Sequence, residues 1–400
     1  MELAAYLTRA LLGVAGLLGI AYLLSVDRRR IDWRLVAGGL CLQVVLAFAV
    51  LKIAWVEELF RWIGGLFASL LGYSVEAAGF VFGVLSDREG MAGAFGESSA
   101  FVFAFMALPS ILFFSALSSL LYYFGILQWL VRGIAWVMSR LMRLSGAESL
   151  AAAANIFIGQ TEAPLLVKPY IPTMTRSEML ALMVGGMATI AGSVFAVYMG
   201  FLGGQDPEQL KEFGKLLLAA SVMNAPAALL FAKILVPETE EVDRSLHVAR
   251  VSAGRNPIDA LANGTTQGLQ LALNVAAMLI AFYAVILMLN GILGAVGSWS
   301  LRGGGSLNTW IESASAGRFD QLSLQAIFGF AFAPLAWLIG VAGNEIQQVG
   351  QLIGVKIFAT EFFAFQELGE MKNAGLSQRS VVLATFALCG FANFMSIGIQ

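Results

Sequence analysis

The sequence has 400 residues, of which 58% are hydrophobic and only 12% are charged, and its formal net charge is −2 at pH 7. Soluble domains carry about 25% charged residues, so this composition excludes an ordinary soluble protein. The balanced charge and the lack of a basic tail give no indication of nucleic-acid binding. Apolar stretches long enough to cross a bilayer recur along the whole chain. We therefore predict an all-α polytopic membrane protein with about eight transmembrane helices.

The first third of the chain combines apolar spans with charged amphipathic segments. Charged residues are interleaved with large apolar ones over residues 55–88, and three arginines are spread over residues 129–144. This pattern favours helices that lie in the membrane interface rather than across the bilayer. The remaining apolar stretches predict spans at residues 4–26, 35–54 and 101–126.

A short polar motif interrupts the next apolar segment. Gln160, Thr161 and Glu162 place an amide, a hydroxyl and a carboxylate side by side, and Pro164 follows. Ionisable groups at membrane depth are costly unless they line a cavity, so they are rare and usually functional. A helix that breaks there also frees backbone groups, which ions or substrates can satisfy. We predict a re-entrant hairpin near residues 149–174, with a binding site at its tip.

The second half of the chain repeats this arrangement. Residues 179–202 and 213–236 predict two further spans, and residues 260–296 form a helical pattern longer than a bilayer needs, which predicts an oblique helix. Another apolar segment with an internal proline, Pro334, predicts a second hairpin near residues 322–341. Corresponding broken segments in two halves indicate a secondary transporter with an inverted repeat.

Further polar residues in apolar surroundings are candidates for the site. Glu361 is followed by several phenylalanines, and no basic residue lies closer in sequence than Lys356. Asn393 and Ser396 are three residues apart and are expected on one helix face, with Phe391 near its edge. A ring beside hydrogen-bonding groups suits a small ligand with an aromatic part and hydroxyls. Plain helix packing accounts equally well for these three residues.

Several of these motifs resemble those of one family. The sequence from residue 155 to residue 165, which contains the polar motif, closely resembles the first-hairpin signature of the concentrative nucleoside transporters. The likeness continues in order through the C-terminal part of the chain, at residues 221–228, 262–268, 332–341 and 389–397. It covers most of the chain from residue 155 to residue 400 and is much less distinctive before that.

The resemblance implies a central nucleoside site and a sodium site. Residues that match the family's nucleoside site are Gln160, Thr161, Glu162, Val194, Glu361, Phe391, Asn393 and Ser396. In that family the first three positions face the base, while those of Glu361, Asn393 and Ser396 bind the ribose. Residues that match its sodium site are Asn155, Ile158, Thr161, Thr189 and Ile190.

The resemblance also implies the biological setting. We expect a homotrimer in a bacterial inner membrane, in contact with lipid and with a nucleoside substrate. Residues 1–148 would form the scaffold with the oligomer contacts, and residues 149–400 the transport domain. We expect nucleoside import by sodium symport with alternating access, with the sodium ion as the coupling ion.

Other mechanisms stay open at this stage. A proton-coupled nucleoside symporter could use Glu162 or Glu361 to carry the proton, and a channel-like facilitator could be lined by the two hairpins. The sequence contains no nucleophile–base pair, no HExxH motif and no metal cluster, so we do not expect an enzyme.

Overall fold

The computed structural model describes residues 2–96, 101–160, 163–204, 206–243, 245, 254–299 and 306–399. Within these ranges the chain is helical and contains no strand. The helices of the first half are α1 Glu2–Leu24, α2 Trp33–Lys52, α3 Ala54–Phe82, α4 Arg88–Phe95, α5 Phe103–Met106, α6 Leu108–Tyr123, α7 Ile126–Met142, α8 Gly146–Asn155, α9 Ala163–Leu166, α10 Arg176–Ala188 and α11 Gly192–Gly203.

Two long helices open the second half, and shorter helices follow. They are α12 Pro207–Leu235, α13 Pro257–Gly297, α14 Leu307–Ala314, α15 Leu324–Ala331, α16 Ala333–Leu338, α17 Ile346–Phe358, α18 Glu361–Asn373, α19 Gln378–Leu388 and α20 Phe394–Ile399. We refer to α8 and α9 as the first helix pair and to α15 and α16 as the second helix pair. Each pair precedes a helix that is interrupted before it resumes, α10–α11 and α17–α18 respectively.

Six helical segments in the described part of the chain are long and apolar enough to cross a membrane: Trp33–Lys52, Ala54–Phe95, Phe103–Tyr123, Arg176–Gly203, Pro207–Leu235 and Pro257–Gly297. The predicted all-α polytopic membrane fold is therefore confirmed. The number of about eight spans and the re-entrant path of the two helix pairs stay predictions. So does the interfacial position of residues 55–88, whose main helix, α3, has the length and composition of a span.

Contacts divide the chain into two compact units. Unit 1 comprises Met1–Ile20, Ala277–Leu388 and Ala392–Gly398, and unit 2 comprises Ala21–Ala276, Cys389–Phe391 and Ile399–Gln400. The units are interleaved along the sequence. The predicted division into a scaffold and a transport domain at residue 148 concerns function and stays a prediction.

Helix α12 is the central element of unit 2. It packs against α2, α3, α10 and α11. Glycines let α3 approach its backbone closely, because a Cβ atom on Gly64 would lie 2.8 Å from the carbonyl oxygen of Lys211. A Cβ atom on Gly214 would likewise lie 2.9 Å from the Cα atom of Gly64. Such small residues are what allow membrane helices to pack tightly.

A buried ionic network joins the start of α8 to the end of α12. Ser145 and Glu148 form a capping box at the N-terminus of α8. The Nζ atom of Lys233 lies 2.5 Å from Glu148 Oε1 and 3.1 Å from Glu238 Oε2, and donates a hydrogen bond of 2.9 Å to Ser177 Oγ. Removing one partner of a buried ion pair leaves an uncompensated charge. This network therefore holds the start of α8, and with it the first helix pair, against the end of α12.

The second helix pair packs along α17 in unit 1. The approach is close, since a Cβ atom on Gly350 would lie 2.9 Å from the carbonyl oxygen of Gly329. Glu345 is the residue before α17 and lies outside the candidate spans. Its carboxylate accepts hydrogen bonds from Ser377, at 3.0 Å from the backbone N–H and 2.6 Å from the hydroxyl. Burial by itself raises the pKa of Glu345, but the hydrogen bonds of Ser377, together with Ser380 and the positive charge of Arg318, outweigh it and hold that pKa below its ordinary value.

We expect Glu345→Gln to lower the Tm by a few degrees at neutral pH, because an amide accepts these hydrogen bonds more weakly than a carboxylate. A carboxylate with a lowered folded-state pKa stabilises the fold above its unfolded pKa of about 4.3 and stops doing so as the pH falls through the folded value. The difference from wild type should therefore disappear in acid. Thermal unfolding in detergent across this range measures it, with the exposed Glu312→Gln as control. A deficit that persists in acid would contradict the assignment.

Candidate functional site

The first group of candidate residues lies where α8 ends. Asn155 is the last residue of α8, and residues 156–160 form an irregular turn. Asn155, Ile158 and Gln160 are buried. Thr161 and Glu162, on which the sequence prediction placed most weight, lie outside the described residues.

The break between α10 and α11 lies against this turn. The backbone N–H of Gly192 donates to the carbonyl oxygen of Phe157 at 3.1 Å. Gly192 also has no room for a side chain, because a Cβ atom there would lie 2.8 Å from the same oxygen. Thr189 and Ile190 form the break itself and are both buried. The two predicted sodium-site segments are therefore brought together.

Helix α12 ties these breaks to a third one, between α19 and α20. The hydroxyl of Ser221 donates to the carbonyl oxygen of Ile156 at 3.2 Å. The Nδ2 atom of Asn224 donates to two carbonyl oxygens, that of Ala188 at 2.9 Å and that of Cys389 at 2.6 Å. No role is predicted from the sequence for Ser221 or Asn224. Their polar side chains near Pro226 in an apolar helix are the signal that could have identified them.

The side chain of Asn155 has an unusual environment. It is 1% exposed, and among the described residues neither its Oδ1 nor its Nδ2 atom has a hydrogen-bond partner. A Cβ atom on Gly185 would lie 3.4 Å from Nδ2, which places the amide beside α10. The Gly185 carbonyl accepts a hydrogen bond of 3.1 Å from the Thr189 hydroxyl. A buried polar group without a partner is destabilising, which makes the Asn155 amide a candidate to bind an ion or a substrate.

The oxygen donors at this junction suit a hard cation. The Thr189 hydroxyl uses its proton on Gly185, which leaves its oxygen as an acceptor. Asn155 Oδ1 adds an amide oxygen, and interrupted helices expose backbone carbonyls. Among the described residues no three His, Cys, Asp or Glu side chains cluster to hold a metal. The amide, hydroxyl and carbonyl donors named here are neutral. Neutral oxygen ligands of this kind are suited to sodium.

The second group of candidate residues lies in unit 1 around Glu361. Glu361 begins α18, after Thr360, whose hydroxyl accepts the N–H of Phe363 at 3.4 Å. Glu361 is 2% exposed, and its carboxylate accepts a hydrogen bond of 2.8 Å from Asn393 Nδ2. A carboxylate in the first turn of a helix is stabilised by the positive end of the helix dipole. Glu361 is thus positioned as a buried hydrogen-bond acceptor.

Asn393 and Ser396 are brought together at the start of α20. Helix α20 begins at Phe394, so Asn393 is the residue before the helix, and its Oδ1 atom accepts the backbone N–H of Ser396 at 2.8 Å. The shared helix face stays a prediction. Both residues are buried. Asn393 therefore links the Glu361 carboxylate to the start of α20.

The remaining predicted residues lie in unit 2. Val194 is buried in the first turn of α11, close in sequence to the break at residues 189–191. Phe391 is partly buried and follows Gly390, which has a φ of 149°. Gly390 has no room for a side chain, because a Cβ atom there would lie 2.6 Å from the Ala188 carbonyl oxygen. The structure thus groups Glu361, Asn393 and Ser396 in unit 1, and Gln160, Val194 and Phe391 in unit 2.

Apolar spans combined with helices that break around buried polar groups define a secondary membrane transporter. Residues 216–400 match the family pattern described as the Na+ dependent nucleoside transporter C-terminus, and residues 12–85 match the corresponding N-terminus pattern. Residues 104–205 match a pattern described as nucleoside recognition. The chain belongs to the concentrative nucleoside transporter family, and it is an integral multi-pass membrane protein.

Relatives cover almost all of the chain. An uncharacterized transporter of Haemophilus influenzae is 41% identical over 396 residues, which are 98% of this chain and 87% of the relative. The uncharacterized transporter YutK of Bacillus subtilis is 40% identical over 98% of this chain and 88% of its own length. The sodium/nucleoside cotransporter 1 of Mus musculus is 38% identical over 97% of this chain and 57% of the mouse protein.

Solved structures agree with the fold. The transporter CNTnw in an inward-facing substrate-bound state is 41% identical, has a TM-score of 0.86, and is matched over 98% of this chain and 89% of CNTnw. A variant of CNTnw in an outward-facing state, also 41% identical, has a TM-score of 0.85 over 98% and 87% of the two chains. The predicted family is confirmed, and it consists of transporters rather than enzymes.

Proposed function

We propose that this protein imports nucleosides by symport with sodium, through alternating access, and that it works as a homotrimer. The family supports nucleoside transport, and the name of the mouse relative supports sodium as the coupling ion. The inward-facing and outward-facing structures of CNTnw support alternating access. The observation that carries the sodium proposal is the buried amide of Asn155, which has no hydrogen-bond partner among the described residues.

The nucleoside is bound by hydrogen bonds, since it is uncharged and has a flat base and a hydroxylated sugar. Glu361 accepts a ribose hydroxyl, and Asn393 and Ser396 complete the ribose side of the site. Gln160, Thr161 and Glu162 face the base, with Val194 and Phe391 packing against the ligand. Hydrogen bonds to a carboxylate are the strong ones, and an unpaired carboxylate in an apolar site is costly. Glu361 therefore discriminates against sugars that lack the hydroxyl.

Sodium is held as a co-transported substrate by Asn155 and Thr189, with backbone carbonyls at Ile158 and Ile190 and the hydroxyl of Thr161. Moving one positive charge inward across 100 mV releases about 2.3 kcal/mol. This free energy alone supports a nucleoside gradient of about fiftyfold. Binding of sodium and of nucleoside must favour each other reciprocally. Thr161, which matches both sites, would be the link between them.

Uptake of radiolabelled uridine into proteoliposomes tests the proposal. We expect uptake to require an inward sodium gradient and to exceed equilibration when the interior is negative. Uptake that ignores sodium and follows a proton gradient would contradict sodium coupling and favour the proton symporter. Unlabelled uridine inside the vesicles should accelerate entry of label, because a carrier exchanges its substrate. An absence of this acceleration would favour a channel-like facilitator.

A further inference from the structure

Helix α1 makes a specific polar contact with the second helix pair inside unit 1. The guanidinium group of Arg9 donates to the Trp337 carbonyl oxygen from Nε at 3.0 Å and from Nη2 at 2.9 Å. Nη2 also donates to the carbonyl oxygen of Val341 at 2.6 Å. The same group lies over the Trp337 ring, 5.1 Å from its centroid. Arg9 thus caps the carbonyls at the C-terminal end of α16.

Two glycines lie on the same face of α1 as Arg9. Gly13 and Gly16 follow Arg9 at helical spacing, so the three residues lie on one side of α1. A Cβ atom on Gly13 would collide with the carbonyl oxygen of Leu338, and one on Gly16 would lie 3.3 Å from Leu338 Cδ2. At Gly16 the Leu338 side chain fills the space, and at Gly13 the Leu338 backbone does. The hydrogen bonds of Arg9 are therefore the polar part of a close contact between α1 and α16.

The N-terminal end of the same helix pair is held in a similar manner. Asn290, in the part of α13 that belongs to unit 1, accepts the backbone N–H of Leu324 through Oδ1 at 2.8 Å. Its Nδ2 atom donates to Gln325 Oε1 at 2.9 Å. Leu324 is the first residue of α15, so Asn290 satisfies one of the N–H groups left unpaired at a helix start. Both ends of the second helix pair are therefore bound by a polar side chain from a long helix.

We propose that Arg9 acts as a positioning residue that clamps the second helix pair against α1 in one access state, and that this clamp opens and closes in each transport cycle. The inference rests on the proposed function, in which the hairpins belong to the transport domain and residues before 149 to the scaffold. The Arg9 clamp consists of hydrogen bonds to a helix end, which can be exchanged for water, whereas Asn290 lies with the helix pair in residues 149–400 and α15 and α16 pack against α17. The contact with α1 is thus the part that can be remade.

A reversible cross-link tests whether the contact must open. In a Cys41→Ala background, Gly16→Cys and Leu338→Cys place two thiols at the α1–α16 contact. We expect the oxidised disulfide to reduce uridine uptake at least about fivefold, to leave equilibrium uridine binding within about threefold, and to be reversed by reductant. Undiminished uptake by the cross-linked protein would overturn the clamp. Absent uptake by the unsubstituted protein, with uridine binding retained, would instead count against the proposed transport function.

A second measurement uses Arg9 itself. Leu338 is partly exposed and lies against Gly16, so in a Cys41→Ala background a single Leu338→Cys should react faster with a maleimide when α1 moves away from α16. We expect Arg9→Gln to raise this labelling rate at least about threefold, with Arg9→Lys intermediate, because weaker capping lets the contact open more often. Gly19→Ala is the matched control on α1, since a Cβ atom at Gly19 meets nothing within 4 Å. Equal labelling rates in the Arg9→Gln and Gly19→Ala proteins would overturn the proposal.

Discussion

Replacing Glu361 by Gln is expected to weaken uridine binding by about 10- to 100-fold. The variant keeps the shape of the side chain but removes the charge, and hydrogen bonds to charged groups contribute about 1.5–3 kcal/mol. The carboxylate is buried and is positioned by Asn393 Nδ2 at 2.8 Å, so little water is available to replace the lost interaction. A binding titration with the purified protein in saturating sodium measures the effect.

The reference for this experiment lies on the same helix. Glu367 accepts a hydrogen bond of 3.1 Å from Gln351 Nε2, and Glu367→Gln should leave uridine affinity unchanged. Analogues that lack single ribose hydroxyls make the assignment specific. For the analogue that lacks the hydroxyl bound by Glu361, wild type and Glu361→Gln should have nearly equal affinity. A loss that is the same for every analogue would contradict a direct ribose contact.

Replacing Thr189 by Val is expected to raise the sodium concentration for half-maximal uptake about tenfold or more. Valine has the same shape but provides no oxygen, and a loss of about 1.4 kcal/mol corresponds to this factor. Because coupling is reciprocal, sodium should also enhance uridine affinity less in the variant. Uridine binding in sodium-free medium should be unchanged. Titrations of uptake and of binding against sodium chloride, with choline chloride at constant ionic strength, measure these effects.

Thr385 offers a matched control for the loss of a buried hydroxyl. Its Oγ1 atom donates to the carbonyl oxygen of Val381 at 2.8 Å, as Thr189 Oγ1 does to that of Gly185 at 3.1 Å. Thr385→Val should therefore reproduce the effect on helix stability and leave the sodium dependence as in wild type. If both valine variants shift the sodium dependence equally, the hydroxyl of Thr189 has no specific role as an ion ligand.

Much of the architecture could be predicted because hydropathy and breaks are local signals. The apolar stretches predicted the all-α membrane fold, and Pro334 marked the second helix pair. The resemblance placed Glu361 and Asn393 in one ribose site, but their hydrogen bond was not predicted, since neither residue type nor spacing pairs a helix start with a distant turn. The cap that Asn393 forms on α20 was not predicted, because periodicity cannot distinguish the residue before a helix from its first turn.

The interactions that hold the breaks in place could not be read from the sequence. Lys233 forms ion pairs with Glu148 and Glu238, yet a pairing between residues so far apart as 148 and 233 depends on how α8 and α12 meet. The backbone hydrogen bond from Gly192 to Phe157 likewise depends on how two interrupted segments meet in the fold. In the sequence, the glycine indicates only that a close approach is possible there.

The amide of Asn224 places a strict chemical demand on its position. Its two hydrogens are divided between the carbonyl oxygens of Ala188 and Cys389, each at the end of an interrupted helix. Aspartate, nearly identical in shape, would present an oxygen to both carbonyls and turn two attractions into two repulsions. Serine could serve one carbonyl only. This position therefore requires a side chain whose nitrogen donates two hydrogen bonds. Neither packing nor hydropathy reveals this requirement.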